Sequence, residues 1–134
     1  MKTLLEIKKE YPTLTQNGWE YTSKRTGEKI GEGDIAKRPK EFKAICDFLN
    51  ANIAHTKTFP NYISSYGYKH IVEDNIHHYV CNGMFIAAAL ACGYKMKYHS
   101  YMGPNCEFAM SWRSWKPFKK TRDGSGPCLD RDGD

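Results

Sequence analysis

Apolar positions recur at two periods along this chain, and the change of period organises it. From Lys40 to Ile53, KEFKAICDFLNANI places Phe42, Ile45, Phe48, Leu49 and Ile53 at helical spacing, which predicts an amphipathic helix. After a loop containing Pro60, Ser64 or Ser65 is suited to cap a second helix that runs to about His78. Its inner face is either Ile71, Asn75 and His78 or Tyr68, Ile71, Val72 and Ile76. A break at YVCNG follows. Asn82 is then a candidate cap for a third helix, MFIAAALAC, and Gly93 stands where a glycine closes a helix. Beyond it the period drops to two. Tyr94, Met96 and Tyr98 alternate with Lys95, Lys97 and His99; after MGPN, Cys106, Phe108, Met110 and Trp112 alternate with Glu107, Ala109 and Ser111. That pattern predicts a β-hairpin with one buried and one wet face.

The flanks are less regular. Residues 2–10 suit a short helix with Leu4, Leu5 and the stem of Lys8 on one side, ended by Pro12. WEYTSKRTGEKI reads as a small hairpin with Trp19 and Tyr21 on one face and RTG in the turn. The chain therefore divides into an N-terminal extension (1–40), a helix–helix–helix–hairpin core (41–118), and a basic exit with a flexible, Gly/Asp-rich tail (119–134). The fold class is α+β. The element order is that of a winged helix-turn-helix: a three-helix core followed by a two-stranded wing.

Composition narrows the class. At 134 residues, with 40% hydrophobic and 26% charged residues, the chain is one soluble domain by length and balance. Its longest apolar run, MFIAAALACGY, is too short to span a bilayer, and Glu6 and Lys8 interrupt the start where a signal peptide would be apolar. A cytoplasmic protein with no membrane partner is expected. The five cysteines form no CxxC pair and read as free thiols, most of them buried. The net charge is +5, and residues 94–122 carry seven basic side chains against Glu107 alone. A basic segment of this kind favours polyanions.

The densest chemistry lies in HIVEDNIHHYVC, with His70, Glu73, His77, His78 and Cys81. His70, Glu73 and His77 could share a helix face as metal ligands, but no HExxH, CxxC or second cluster completes a zinc set. Cys81 with His77 or His78 contains the atoms of a thiolate–imidazole pair, yet such pairs need an orienting group and an oxyanion hole. A small metal protein or Cys/His enzyme built on His70–Cys81 is thus the alternative reading, and no cofactor is implied. Structurally, IHHYVCNG is a helix end, a turn and a new cap. SSYGYKH is different: a helix start, whose free N–H groups favour an anion, surrounded by Ser65, Tyr66, Lys69 and His70, residue types that contact phosphate. The third helix carries no Arg, Asn, Gln or Lys within MFIAAALAC, so it is buried or packs on a partner, with a homodimer through residues 84–92 as one outcome. Nucleic-acid contact would then fall to Lys95, Lys97 and His99 of the hairpin and to Arg113, Lys116, Lys119, Lys120 and Arg122 of the exit. Tyr101, Trp112 or Trp115 would stack on bases.

SSYGYKHIVED, NGMFIAAALACGY and GPNC together resemble a family of small phage, plasmid and integrative-element proteins. Its pattern is Ser-Tyr-Gly-Leu-Lys-His-x-x-Glu, then Asn-Gly-x-Phe-Ile, then Gly-Pro-Asn. The resemblance covers residues 64–112; Tyr68 departs from the usual Leu, and residues 1–40 lie outside it. No biochemical activity attaches to the pattern. What it implies is a non-enzymatic mobile-element accessory protein. Such a protein would bind nucleic acid or a nucleoprotein complex, to inhibit a host defence nuclease in the manner of an anti-CRISPR or to regulate expression.

Overall fold

A computed structural model describes residues 1–31, 33–60 and 63–119. The fold is α+β; the described residues form helices around one apolar core and three two-stranded antiparallel hairpins. Helix α1 (Leu4–Glu10) opens on a capping box. The Thr3 hydroxyl accepts from the Glu6 amide, and the Glu6 carboxylate accepts from the Thr3 amide. Leu4 and Ile7, three apart, turn inward, and Leu5 faces solvent at 65% exposure. The inward stripe is therefore Leu4–Ile7, and the predicted Leu4–Leu5 side is split by the helical turn. Two hairpins follow, β1 (Leu14–Thr15) with β2 (Gly18–Trp19), and β3 (Tyr21–Thr22) with β4 (Lys29–Ile30). The RTG turn lies between β3 and β4, but Trp19 belongs to the earlier hairpin, where it is buried opposite Leu14.

Helix α2 (Pro39–Asn52) buries Phe42, Ile45, Cys46 and Leu49, and its proline stands in the first turn, where no backbone donor is needed. Helix α3 (Ser65–Ile76) buries Tyr68, Ile71 and Val72 and ends at His77 in the left-handed conformation, φ 58°. Helix α4 (Asn82–Ala91) is the centre of the molecule. Met84, Phe85, Ile86, Ala87, Ala88 and Ala89 have no exposed surface, because α1, α2, α3 and the β1–β2 hairpin pack around them. This corrects the expectation of a homodimer through residues 84–92: that apolar surface is covered within the chain. Gly93, at φ 88°, closes α4, with its amide and that of Tyr94 donating back to Leu90 and Ala89.

The last hairpin pairs β5 (Met96–Lys97) with β6 (Glu107–Phe108), Met96 opposite Phe108 and Lys97 opposite Glu107. Tyr94, Cys106, Phe108 and Met110 are buried and Lys95 and His99 exposed, as the alternation predicts, but Ala109, expected on the wet face, has no exposure, and Met96 and Lys97 are both half-buried; residues 54–56 cover Ala109 from outside. Residues 54–56 run along its outer side, with Thr56 donating to Ala109 and Ser111 to Ala54. The period-two pattern does not continue through Trp112. Ser111 caps a short helix, α5 (Trp112–Trp115), which seals Trp112 and Trp115 in the core.

Residues 1–40 are not laid beside this core but enter it: Leu4, Ile7, Leu14, Trp19 and Ile35 belong to the same buried cluster as the residues of α2, α3 and α4. Among the described residues, no helix is long and apolar enough to cross a membrane.

Candidate functional site

The start of α3 and the start of α4 meet, and the reason lies in two glycines and an asparagine. Gly83 brings α4 against the β1–β2 turn, its amide donating to the Gln16 carbonyl at 2.9 Å. A Cβ there would stand 1.6 Å from the Thr15 carbonyl oxygen. Gly18, at φ 117°, leaves room for the Pro104 carbonyl and the Asn82 amide on its other side. Asn82 is the first residue of α4 rather than its cap. Its Nδ2 donates to Asn17 O (2.8 Å), Pro104 O (3.3 Å) and Asn105 Oδ1 (2.9 Å). All three partners are oxygens, which fixes which end of the amide is which. The Asn82 Oδ1 is buried and has no hydrogen-bond partner among the described residues.

On α3, Tyr66, Lys69, His70 and Glu73 share one face by their spacing. The Lys69 Nζ and the His70 Nδ1 converge on one carboxylate oxygen, Glu73 Oε1, at 3.3 and 2.7 Å. Lys69 is only 4% exposed. Its ammonium lies over two tyrosine rings, 5.2 Å from the centroid of Tyr66 and 4.6 Å from that of Tyr79, an arrangement in which ring quadrupoles replace part of the lost water. Tyr66 also meets the His70 ring edge to face at 4.6 Å. Tyr66 and Tyr79 remain 52% and 58% exposed. They flank a pocket of about 350 Å³ whose other walls are Gln16, Asn17, Lys69, Asn82, Pro104 and Asn105. Thus SYGYKH, NG and GPN, separate in the sequence, line one site, and the β1–β2 turn completes it.

Ser65 is not on this surface. It has no exposure, and it staples α3 to the hairpin loop: its amide donates to the Cys106 carbonyl, and its hydroxyl accepts from the Cys106 amide. On the hairpin, Lys95 is exposed. Lys97 is 3.9 Å from Glu107 Oε1 and lies over the Phe59 ring at 5.0 Å. The rings of His99 and Tyr101 stack nearly parallel, 5.2 Å apart, and Tyr101 is 72% exposed. In the exit segment Arg113 is exposed and Lys116 half-buried; Lys119 sets its ammonium over Trp112 at 4.7 Å. Lys120, Arg122 and the tail lie outside the described residues. Trp112 and Trp115 are fully buried, so neither is placed to stack on a base; of the three aromatics expected to do so, Tyr101 is the exposed one.

The His/Glu/Cys cluster comes apart in three dimensions. His70 pairs with Glu73; His77 and His78 are exposed at the end of α3. Cys81 faces the other way, its thiol 3.6 Å from Glu41 Oε2 in the interior. Burial pushes the Cys81 thiol up to about 11, so it is a neutral donor at physiological pH and not a nucleophilic thiolate. Among the described residues, no three His, Cys, Asp or Glu side chains are placed to hold a metal ion. Glu41, Tyr79 and the Gln16–Asn17 turn carry no sequence signal as site residues, and Asn105 enters only through the GPN motif. Their roles come from partners far along the chain. Compared with known protein families, curated proteins and solved structures, the chain matches none.

Proposed function

We propose that this chain is a non-enzymatic accessory protein of a mobile element that binds nucleic acid, alone or in a nucleoprotein complex. The observation that carries this reading is the hairpin's outer edge, where the exposed Tyr101 ring stacks on His99 beside Lys95 and Lys97. An aromatic platform next to cationic stems is the combination that grips a single strand: bases stack, and ammonium groups displace counterions from phosphates.

The order of α2, α3, α4 and the β5–β6 hairpin supports a winged-helix reading of the fold. In that reading the wing makes the contact, because α4 lies inside the molecule and cannot enter a groove. Either outcome for the host, inhibition of a defence nuclease or regulation of expression, would use the same surface; recovery of the tagged protein from cells with and without nuclease treatment separates them by the partner retained.

The direct test is fluorescence anisotropy with single-stranded and duplex oligonucleotides between about 50 and 200 mM salt. The Lys95→Glu, Lys97→Glu double variant should bind at least about tenfold more weakly, with the salt slope reduced by about two, one per phosphate contact removed. Unchanged affinity and slope would overturn the reading.

A further inference from the structure

We infer that Cys92 is a site of oxidation by hydrogen peroxide, and that Cys46 then closes on it to form a disulfide between α4 and α2. The inference goes beyond the nucleic-acid reading and does not rest on it; the hairpin residues take no part.

The two thiols meet where α2 and α4 pack on each other. Cys46 is buried on the inner side of α2, and Cys92 is the half-buried residue that follows α4. Both are free. Each sulfur lies against the backbone of the other helix. Cys46 Sγ stands 3.9 Å from Ala88 O, the same carbonyl that accepts from the Cys92 amide at 2.9 Å. Cys92 Sγ stands 4.0 Å from Cys46 O. The thiols also hydrogen-bond to each other, so the two side chains point together, as a disulfide requires.

The pair is asymmetric, as a reactive thiol and its resolving partner are. Cys92 lies at the surface end, its Sγ 3.7 Å from the thioether of Met1, a residue that is 77% exposed. Its thiol is lowered from the ordinary value, chiefly by the bond from Cys46 and further by the Asn50 amide, against the opposing effect of burial. Cys46 has no exposure, and its thiol is raised by the same bond. Cys92 is therefore the thiolate that peroxide reaches. Its sulfur attacks one peroxide oxygen and the O–O bond breaks. The departing hydroxide takes up the proton that the Cys92 thiol had lost and becomes water, and Cys92 is left as the sulfenic acid. The Cys46 sulfur next attacks Cys92 Sγ. The S–S bond forms, the S–O bond breaks, and the hydroxide leaves with the Cys46 proton as a second water. Across both steps the two thiols lose two electrons and one peroxide gains them. Cys81 and Cys106 are differently placed. Cys81 faces Glu41 and Cys106 lies beside Ser65, and burial pushes their thiols up to about 11 and about 12.

The intact protein is treated with hydrogen peroxide and digested, and its cysteine peptides are identified by mass spectrometry. Expected is a linked Cys46–Cys92 peptide, formed at least about tenfold faster than any change at Cys81 or Cys106 and reversed by dithiothreitol. The oxidised protein should melt roughly 5–10 °C higher, because a link that fits the fold constrains the unfolded chain. Cys46→Ala should leave a Cys92 sulfenic acid that dimedone traps. That substitution opens a cavity in the core, so Cys92→Ser, at a half-buried position, provides a second variant, in which Cys46 should stay unmodified by peroxide. Oxidation of Cys46 at the wild-type rate in Cys92→Ser would overturn Cys92 as the thiol attacked first. A link from Cys92 to Cys128 or to a second chain, or a Cys92 sulfenic acid that persists in the wild-type protein, would overturn the pairing with Cys46.

Discussion

At the scale of single residues, the site depends on positions where only one side chain fits. Gly83 is the clearest. An alanine Cβ would sit 1.6 Å from a backbone oxygen of Thr15, and neither the helix nor the β1–β2 turn can yield without disturbing the core. Gly83→Ala should cost at least about 2 kcal/mol, at the upper part of the range for overpacking, and urea denaturation followed by circular dichroism measures it. NG could be read from the sequence as a helix start, and it is one. That Asn82 bridges segments instead of capping could not be read. Its partners Asn17 and Pro104 are 65 and 22 positions away, and no local pattern encodes such a distance. Ser65 has the same lesson. Its residue type suits a phosphate contact, but its hydroxyl and amide are both engaged by Cys106.

Whole elements were legible in proportion to their length. Helix α2 matches the Lys40–Ile53 pattern within a residue at each end, because five apolar side chains repeat at one period over fourteen residues. Strands β5 and β6 have only two residues each, but the alternation around them runs on through Tyr94, Cys106 and Met110, which are buried, and so marks the hairpin. The strands β1 to β4 have two residues each, too few to display a period, so only their turn residues mark them. The α2 C-terminus illustrates what periodicity omits. Its end carbonyls, Leu49 O and Ile53 O, accept from the Tyr94 hydroxyl at 3.1 and 2.6 Å, a long-range substitute for a cap. Alternation makes Tyr94 a core-facing residue, but nothing local assigns its hydroxyl. Tyr94→Phe should lower stability by about 1–2 kcal/mol through the loss of these bonds, read as a shift in the urea midpoint with an unchanged slope. Lys95→Glu, on an exposed side chain, should be neutral in the same assay, whereas Lys97→Glu should lower stability by up to about 1 kcal/mol, because it sets a second carboxylate opposite Glu107.

For the molecule as a whole, buried protons set the pH response. Burial pushes the thiol of Cys81 up to about 11 and that of Cys106 up to about 12, and it raises the Tyr94 hydroxyl as well. Each group binds its proton more tightly folded than unfolded. Their contribution is complete below the unfolded cysteine value of about 8.5 and declines as pH rises through it towards the folded values. Cys46 is raised in the same direction, chiefly by its hydrogen bond to Cys92, whose own thiol is lowered by the same bond and opposes the trend. With Cys81, Cys106, Tyr94 and Cys46 of one sign against Cys92, the melting temperature should fall steadily from about pH 8.5 to pH 11. A flat profile over that interval would contradict the neutral, buried state assigned to Cys81.

The packing of residues 4–35 around α4 has a consequence for how the chain comes into being. The segment that carries Leu4, Ile7, Leu14 and Trp19 leaves the ribosome before helix α4 and the loop at Pro104, its neighbours in the fold. The Trp19 amide cannot donate to the Pro104 carbonyl until synthesis has passed residue 104. This segment therefore waits for partners made much later, with its apolar side chains unsheltered. Closure of the core and assembly of the Asn82 junction are then a single late event.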